Sequence, residues 1–353
     1  MASLPCSAQP SFKGLEHLFV TPKHYIIEYT STQPVIDGNI SDTVWKSALW
    51  SDYFKDIEGD TKPEPYYKTR FKMLWDQKYL YIAADIEDQN IWAYLRNHDD
   101  IVYRDNDFEL FIDPDNNTYQ YFEIEVNAIN TIFDLFLSKP YRNNSHELMS
   151  WNANGIHSAV KVHGTLNKPS DKDKGWTVEM AIPYNAITLG GNVFVPKDGD
   201  LWRINFSRVE WETTVQNKKY IKKIDSNGKA LPENNWVWSP QGIINMHYPE
   251  RWGYLLFSSS DSKNKSFELP YSEKQRQYLW LVYYRQKEYL SKNKRYASTL
   301  DELGITPASF AIDGILNVIK MEATEHLFYA TIRSSDNNKI LSIDNEGLIE
   351  TGK

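Results

Sequence analysis

The alternation of apolar and polar positions is clearest over residues 103–134, where two strand-like runs flank a turn-rich centre. Phe108, Leu110 and Ile112 share one face before Asp113-Pro114-Asp115-Asn116-Asn117, and Phe122, Ile124 and Val126 share one after it. The opposite faces carry Asp107, Glu109 and Phe111, then Tyr121, Glu123, Glu125 and Asn127. Paired, the two strands would present carboxylates and an amide on one side of a sheet. That side either faces water, as one face of an antiparallel sheet ordinarily does, or lines a polar concavity that hydrogen-bonds a hydroxyl-rich ligand.

The same period runs through much of the chain. An edge strand is expected at 24–29, then a strand end and Asp-Gly turn at 35–38, then a short helix capped by Ser41 or Asp42 that turns Trp45 inward. A hairpin is expected over 69–75 and 79–85, with Phe71 and Met73 against Leu80, Ile82 and Ala84. Residues 139–155 read as a loop; further strands are expected at 157–166, 175–182 (ended by Pro183), 201–211 and 251–257. Many short strands with polar turns predict a mainly β fold, an antiparallel β-sandwich of jelly-roll or immunoglobulin-like type over residues 30–258, with 1–29 as a lead-in. Residues 259–268 read as a polar linker. Beyond it, residues 269–353 predict a small α+β appendage. It should hold a long helix with a Ser272/Gln275 capping box, a short helix capped by Ser298 or Thr299 and stopped at Gly304, and a three-strand meander at 315–321, 327–333 and 339–343. Residues 283–303 resemble the soluble region of type IV pilin-like proteins; the apolar helix that opens a pilin is absent, so the resemblance extends only to a helix packed on a sheet.

At 353 residues the chain has room for one large and one small domain. Charged residues at 24% and hydrophobic ones at 41% describe a globular protein. A net charge of −8, with scattered Lys and Arg, argues against nucleic acid, and no run of 18 apolar residues is present to span a membrane. Aromatics reach 14%, with 12 Trp and 23 Tyr. A β core can absorb them, and sugar-binding surfaces use the same rings to stack on pyranose C–H faces. Cys6 is the only cysteine, which excludes an internal disulfide and a cysteine-based metal cluster. The small residues of 1–9 read as the cleavage region of a secretory signal, placing the protein outside the cell, in a periplasm or on a cell surface. A lipid-modified Cys6 and an ordinary N-terminal tail are the alternatives. Asp113, Asp115 and Asn117 cluster hard oxygens suited to a structural calcium, although the same residues are good turn chemistry. The seven histidines other than His247 show no metal-ligand spacing.

Five blocks then fall in a familiar order: Val35-Ile36-Asp37-Gly38 with Trp45; Met73-Leu74-Trp75-Asp76 with Tyr79-Leu80-Tyr81-Ile82; residues 107–113; residues 175–182; and Arg251-Trp252-Gly253-Tyr254. In these blocks residues 33–258 resemble carbohydrate-binding module family 9, of the wider DOMON-like sandwich superfamily. The resemblance implies a non-catalytic domain, commonly attached to xylanases and other plant-polysaccharide hydrolases, that holds a sugar terminus between two aromatic rings and often carries structural calcium. It puts Tyr103 at the first ring, Glu109 at the acidic hydrogen-bonder and Glu125 where the family can place an arginine, with the second ring near Met246 or His247. Glu for Arg reverses a charge, and Met for Trp loses a ring. Arg104, Asn106, Asn127, Arg208 and Glu210 are further candidates beside the same blocks. Trp211, Trp236 or Trp238 could supply the second ring, or each could be core. Two other functions remain open. Glu109 with Glu125 or Glu210 could serve a glycoside hydrolase, although nothing in sequence sets their pKa values apart. Met246 or Met73 with His247 could ligate haem, as in related cytochrome domains, although adjacent strand residues point to opposite faces. The expectation is a sugar-binding module that assists degradation of xylan or a related glycan. It requires no cofactor, and its appendage docks another protein or covers a sandwich edge.

Overall fold

The computed structural model describes residues 9–188, 194–259, 266–337 and 339–352. The secretory reading around Cys6 and the middle of the expected linker, 260–265, lie outside them. The chain forms two units: one comprises the described residues up to Val20 together with Glu268 onward, the other Thr21–Phe267.

In the larger unit the strands are β1 (His24–Tyr29), β2 (Lys55–Asp56), β3 (Thr69–Trp75), β4 (Tyr79–Glu87), β5 (Asp107–Asp113), β6 (Tyr121–Asn127), β7 (Ile132–Leu137), β8 (Glu147–Leu148), β9 (His157–His163), β10 (Gly175–Pro183), β11 (Leu201–Glu210), β12 (Thr213–Gln216), β13 (Lys219–Lys222), β14 (Asn234–Val237) and β15 (Gly253–Ser258). Thirteen of them make one curled sheet in the order β8-β7-β6-β5-β11-β15-β1-β3-β4-β10-β9, with β14 on β11 and β2 on β14; β12 and β13 pair by themselves. The two halves close on each other as a sandwich. The expected inward faces meet there: Phe71, Met73, Leu80, Ile82, Ala84, Phe108, Leu110, Ile112, Ile124 and Val126 are all fully buried in one core.

One expectation fails at β1, which is not an edge strand. It runs parallel to both β15 and β3 in mid-sheet, so the sheet is mixed and not purely antiparallel. The long segment between β1 and β3 supplies the crossover that parallel neighbours require.

The outer faces of the sandwich are also covered. Against β3, β4 and β10 lie Trp45 and Ala48 on Leu74, Tyr81, Ala83 and Ala181. That cover is fastened by Glu179, whose carboxylate accepts hydrogen bonds from Trp45 Nε1 at 2.6 Å, Gly38 N at 2.8 Å and Asp37 N at 3.1 Å. Gly38 has φ +82°, and a Cβ there would meet the backbone of Lys161 at 2.8 Å, so the Asp-Gly turn admits little else.

In the smaller unit, α1 (Tyr271–Asn293) packs on a five-stranded sheet of β16 (Ser309–Ile312), β17 (Ile315–Ala323), β18 (Phe328–Ser334), β19 (Ile340–Asp344) and β20 (Ile349–Gly352). The two outer strands are four residues each, too short for alternation to announce them, which is why only three were expected. The capping box at Ser272 and Gln275 does not form. Pro270 occupies the N-cap without a side-chain cap bond, and Gln275 is buried, donating Nε2 to Asn317 Oδ1 at 2.8 Å on the sheet. The second expected cap does form: Glu302 accepts from Ser298 N and Thr299 N, and Thr299 Oγ1 accepts from Glu302 N. Part of the N-terminal lead-in belongs to this unit, since Gln9 Nε2 donates to Ala311 O at 2.7 Å and Phe12 sits 5.3 Å from the Tyr278 ring.

Candidate functional site

β5, β6, β7 and β11 lie side by side, and register puts Glu109 opposite Glu125, Phe111 opposite Glu123, and Phe133 and Leu135 beside those two glutamates. This is the outer face of that half-sheet. It is not a water face: Glu109, Glu123 and Glu125 are only 4%, 5% and 2% exposed. Non-strand segments cover it, bringing Ile101 and Tyr103, Tyr141 and Met149, Pro232 and Glu233, and Ile244 to His247 around a cavity of about 460 Å³. That volume lies in the range of small-molecule sites.

Burial shapes the electrostatics of the floor. It pushes Glu109 up to about 7. Burial, and then the Glu109 charge, hold Asp107, Glu123 and Glu125 well above the ordinary carboxylate range. Among the described residues lining the cavity there is no lysine or arginine. The floor is therefore a row of partly protonated carboxyls, which both accept and donate, with apolar Phe111, Phe133 and Leu135 between them. Such a surface matches an uncharged polyhydroxyl ligand and repels anions.

Rings stand at both ends. Tyr103, 37% exposed, is anchored by its N–H to Glu125 Oε2 at 2.8 Å, and its carbonyl accepts Trp211 Nε1 at 2.8 Å. At the other end His247 Nδ1 lies 3.0 Å from the Tyr121 hydroxyl, its Nε2 lies 3.9 Å from Glu123 Oε2, and its ring is 4.4 Å from that of Tyr141. Burial, helped by the Arg142 charge, keeps this imidazole neutral. Glu125 and Tyr121 are four residues apart on β6, so the anchors of the two ends are ~13 Å apart along the strand.

Of the residues expected from sequence, Tyr103, Glu109, Glu125, Met246 and His247 come together here; the remaining sugar-binding candidates do not. Arg208 is fully buried on the opposite face of β11, 2.7 Å from Glu210 and 3.7 Å from Asp88, and it donates to Glu87 O at 2.6 Å. Asn106 bridges Glu210 Oε2 and the backbone N–H of Trp211. Asn127 holds a turn, accepting from Ile129 N and Thr131 N and donating to Leu95 O and Asp105 Oδ2. Trp236 and Trp238 are core. Arg104 is exposed and does not line the cavity. Glu210 and Trp211 line a separate depression with Tyr66 and Tyr67, and Trp211 serves the groove only by holding Tyr103. Proximity to a block in sequence does not decide the face for Arg208 or Asn106, and for Asn127, which shares the parity of Glu125, the following turn takes up the side chain.

The cover residues Tyr141, Met149, Glu233 and Ile244 were missed, because they sit in segments without periodicity. Glu123 was visible as a face-mate of Glu125. At the 113–117 turn Asp113 Oδ2 accepts Thr118 N at 2.8 Å, and Asn117 joins Asp115 Oδ2 at 2.7 Å. The haem ligand pairs are not assembled: Met73 is buried in the core on the inner side of the sheet, and Met246 Sδ accepts Gln241 Nε2 at 3.1 Å.

Comparison with known proteins gives a consistent picture. Residues 36–253 match a family model described as carbohydrate family 9 binding domain-like. The chain is 30% identical over 159 residues to the exoglucanase XynX of Acetivibrio thermocellus, covering 44% of this chain and 12% of that one. It is 28% identical over 168 residues to endo-1,4-beta-xylanase A of Thermoanaerobacterium saccharolyticum, covering 47% and 12%. The aligned part is thus about an eighth of the length of these curated relatives. A Bacteroides uniformis protein of known structure superposes with a TM-score of 0.51 at 15% identity, covering 67% of this chain and 100% of that one, and so shares the fold.

Proposed function

The chain belongs to the carbohydrate family 9 binding domain-like family, and from that premise we propose that it is a non-catalytic module whose 460 Å³ groove takes a neutral, β-linked plant cell-wall oligosaccharide. The observation that carries this reading is the buried row Glu109, Glu123 and Glu125 between Tyr103 at one end and Tyr141 with His247 at the other. A pyranose would stack on Tyr103 while its hydroxyls exchange hydrogen bonds with the carboxyls beneath. The absence of Lys and Arg from the described lining directs the choice toward uncharged xylan or glucan chains and away from uronic acids. The names of the exoglucanase and xylanase relatives support the same substrate class, and that class in turn favours a protein working outside the cell. Among the described residues no helix is long and apolar enough to cross a membrane.

Sugar binding of this kind draws on no cofactor. A structural calcium at Asp113, Asp115 and Asn117 would prop the hairpin turn. Burial and the neighbouring Asp115 carboxyl hold Asp113 well above its ordinary range, the state a hard cation would relieve. The test of the main reading is calorimetric titration with xylohexaose, cellohexaose and polygalacturonate oligomers. Binding of a neutral oligomer with rejection of the acidic one is expected; no heat from any neutral oligomer at millimolar concentration would overturn it.

A further inference from the structure

We propose that His98, Asp99 and Asp134 form a site for a divalent transition metal of the zinc class, distinct from the groove, which fastens the end of β7 to two neighbouring loops. Asp134 alternates on β7 with Phe133 and Leu135, so it points to the other face of the strand from the groove they line. His98 and Asp99 come from the loop before β5, and Asn152 from the loop before β9.

Three observations meet at His98 Nε2. It lies 3.5 Å from Asp99 Oδ1 and 3.6 Å from Asp134 Oδ1. Those two oxygens are buried and have no hydrogen-bond partner, and Asp134 as a residue is 1% exposed. Its other oxygen is taken by Ala153 N, so Oδ1 is aimed at the imidazole and at nothing else. His98 Nδ1 is 3.1 Å from the carbonyl of Ile132. A carbonyl only accepts, so Nδ1 carries a proton and is held as the backbone carbonyl holds it in metal-binding histidines; Nε2 likewise donates to the Asn152 oxygen here, and a metal would have to displace that proton to reach the Nε2 lone pair. Asp99 N donates to the same carbonyl at 3.1 Å, which locks both residues to β7. Asn152 Oδ1, 2.6 Å from Nε2, accepts its N–H in the metal-free site and would have to draw back for an ion to enter.

The spacing selects the ion. Tetrahedral bonds of 2.0–2.2 Å place neighbouring donors ~3.3–3.6 Å apart, the separation of each carboxylate oxygen from Nε2 here. An imidazole with few oxygens suits a zinc-class ion, whereas calcium prefers six to eight oxygens. The competing state is an imidazolium ion-paired to the same two aspartates, which needs no metal.

The test uses the full chain stripped with EDTA and titrated with zinc chloride at pH 7.5, with magnesium and calcium chlorides in parallel, on the native protein and on His98→Ala and Asp134→Asn. His98 is half exposed, so His98→Ala keeps the test valid if the buried substitution fails to fold. The expected result is one saturable zinc site in the native protein that neither variant shows. Zinc at ~100-fold over its Kd should also raise the sandwich unfolding temperature by on the order of 5 °C in the native protein alone. Equal zinc binding by native protein and His98→Ala, or none by either, overturns the proposal. So does an Asp134-dependent gain in stability that vanishes as His98 deprotonates and ignores zinc.

Discussion

Replacing Glu109 by glutamine should make the sandwich more stable and a poorer sugar binder at once. In the fold this carboxyl is pushed by burial up to about 7 from an ordinary 4.5. Between those values the folded protein holds a proton that the unfolded chain has released. Its favourable contribution is therefore complete below about pH 4.5 and is lost as pH rises through 7. At 1.36 kcal/mol per tenfold, the ionisation penalty carried above pH 7 is ~3 kcal/mol. Glutamine escapes it, and it also removes the charge that helps raise Asp107, Glu123 and Glu125. At pH 8 the variant should unfold ~6–12 °C higher than the native protein, and near pH 4 the two should coincide. Loss of an ionisable acceptor for sugar hydroxyls should at the same time cost ~1.5–3 kcal/mol of binding, or roughly 10- to 100-fold in Kd. Calorimetric melts at pH 4 and pH 8, with oligosaccharide titration at pH 7, read both effects. A variant less stable at pH 8, or one more stable with affinity unchanged, would refute the reasoning.

Other substitutions separate groove from scaffold. Tyr103→Ala removes an exposed ring and should weaken oligosaccharide binding by ~1–2 kcal/mol while leaving the unfolding temperature within a degree or two; an unchanged titration would remove Tyr103 from the site. Arg208→Met leaves Glu210 and Asp88 buried without their cation and should cost ~3–5 kcal/mol of stability, with sugar affinity intact wherever the protein is folded; a selective loss of affinity would return Arg208 to the groove. The pure protein should release no reducing sugar from xylan, because Glu109, Glu123 and Glu125 are all raised together and their shared burial does not set an acid apart from a carboxylate among them. Steady release that Glu125→Gln abolishes would restore the hydrolase reading.

The inward half of this sandwich was legible because a buried face writes itself as period two. Phe108, Leu110, Phe122 and Ile124 sit where alternation placed them. The same parity put Glu109 and Glu125 on one side and made them candidates. It could not say that this side is roofed, since the roof comes from segments around Tyr103, Tyr141, Pro232 and His247 that have no period of their own. Nor could it place Arg208. Its face depends on the register of β11 against β5, where Ser207 pairs with Glu109, and that pairing spans almost a hundred residues of chain. Asn127 shares the parity of Glu125, yet its carbonyl oxygen is consumed by the turn that follows it. The three groups around His98 Nε2, on Asp99, Asp134 and Asn152, lie on three separate segments, so histidine spacing along the chain had nothing to show.

The most direct measurement is the crystal structure of the protein soaked with whichever neutral oligosaccharide binds best. A sugar ring seated on Tyr103, with its hydroxyls within hydrogen-bond distance of Glu109, Glu123 or Glu125, is the predicted result. Sugar found instead at the Tyr66 and Trp211 depression, with the acidic groove holding only solvent, would contradict the account.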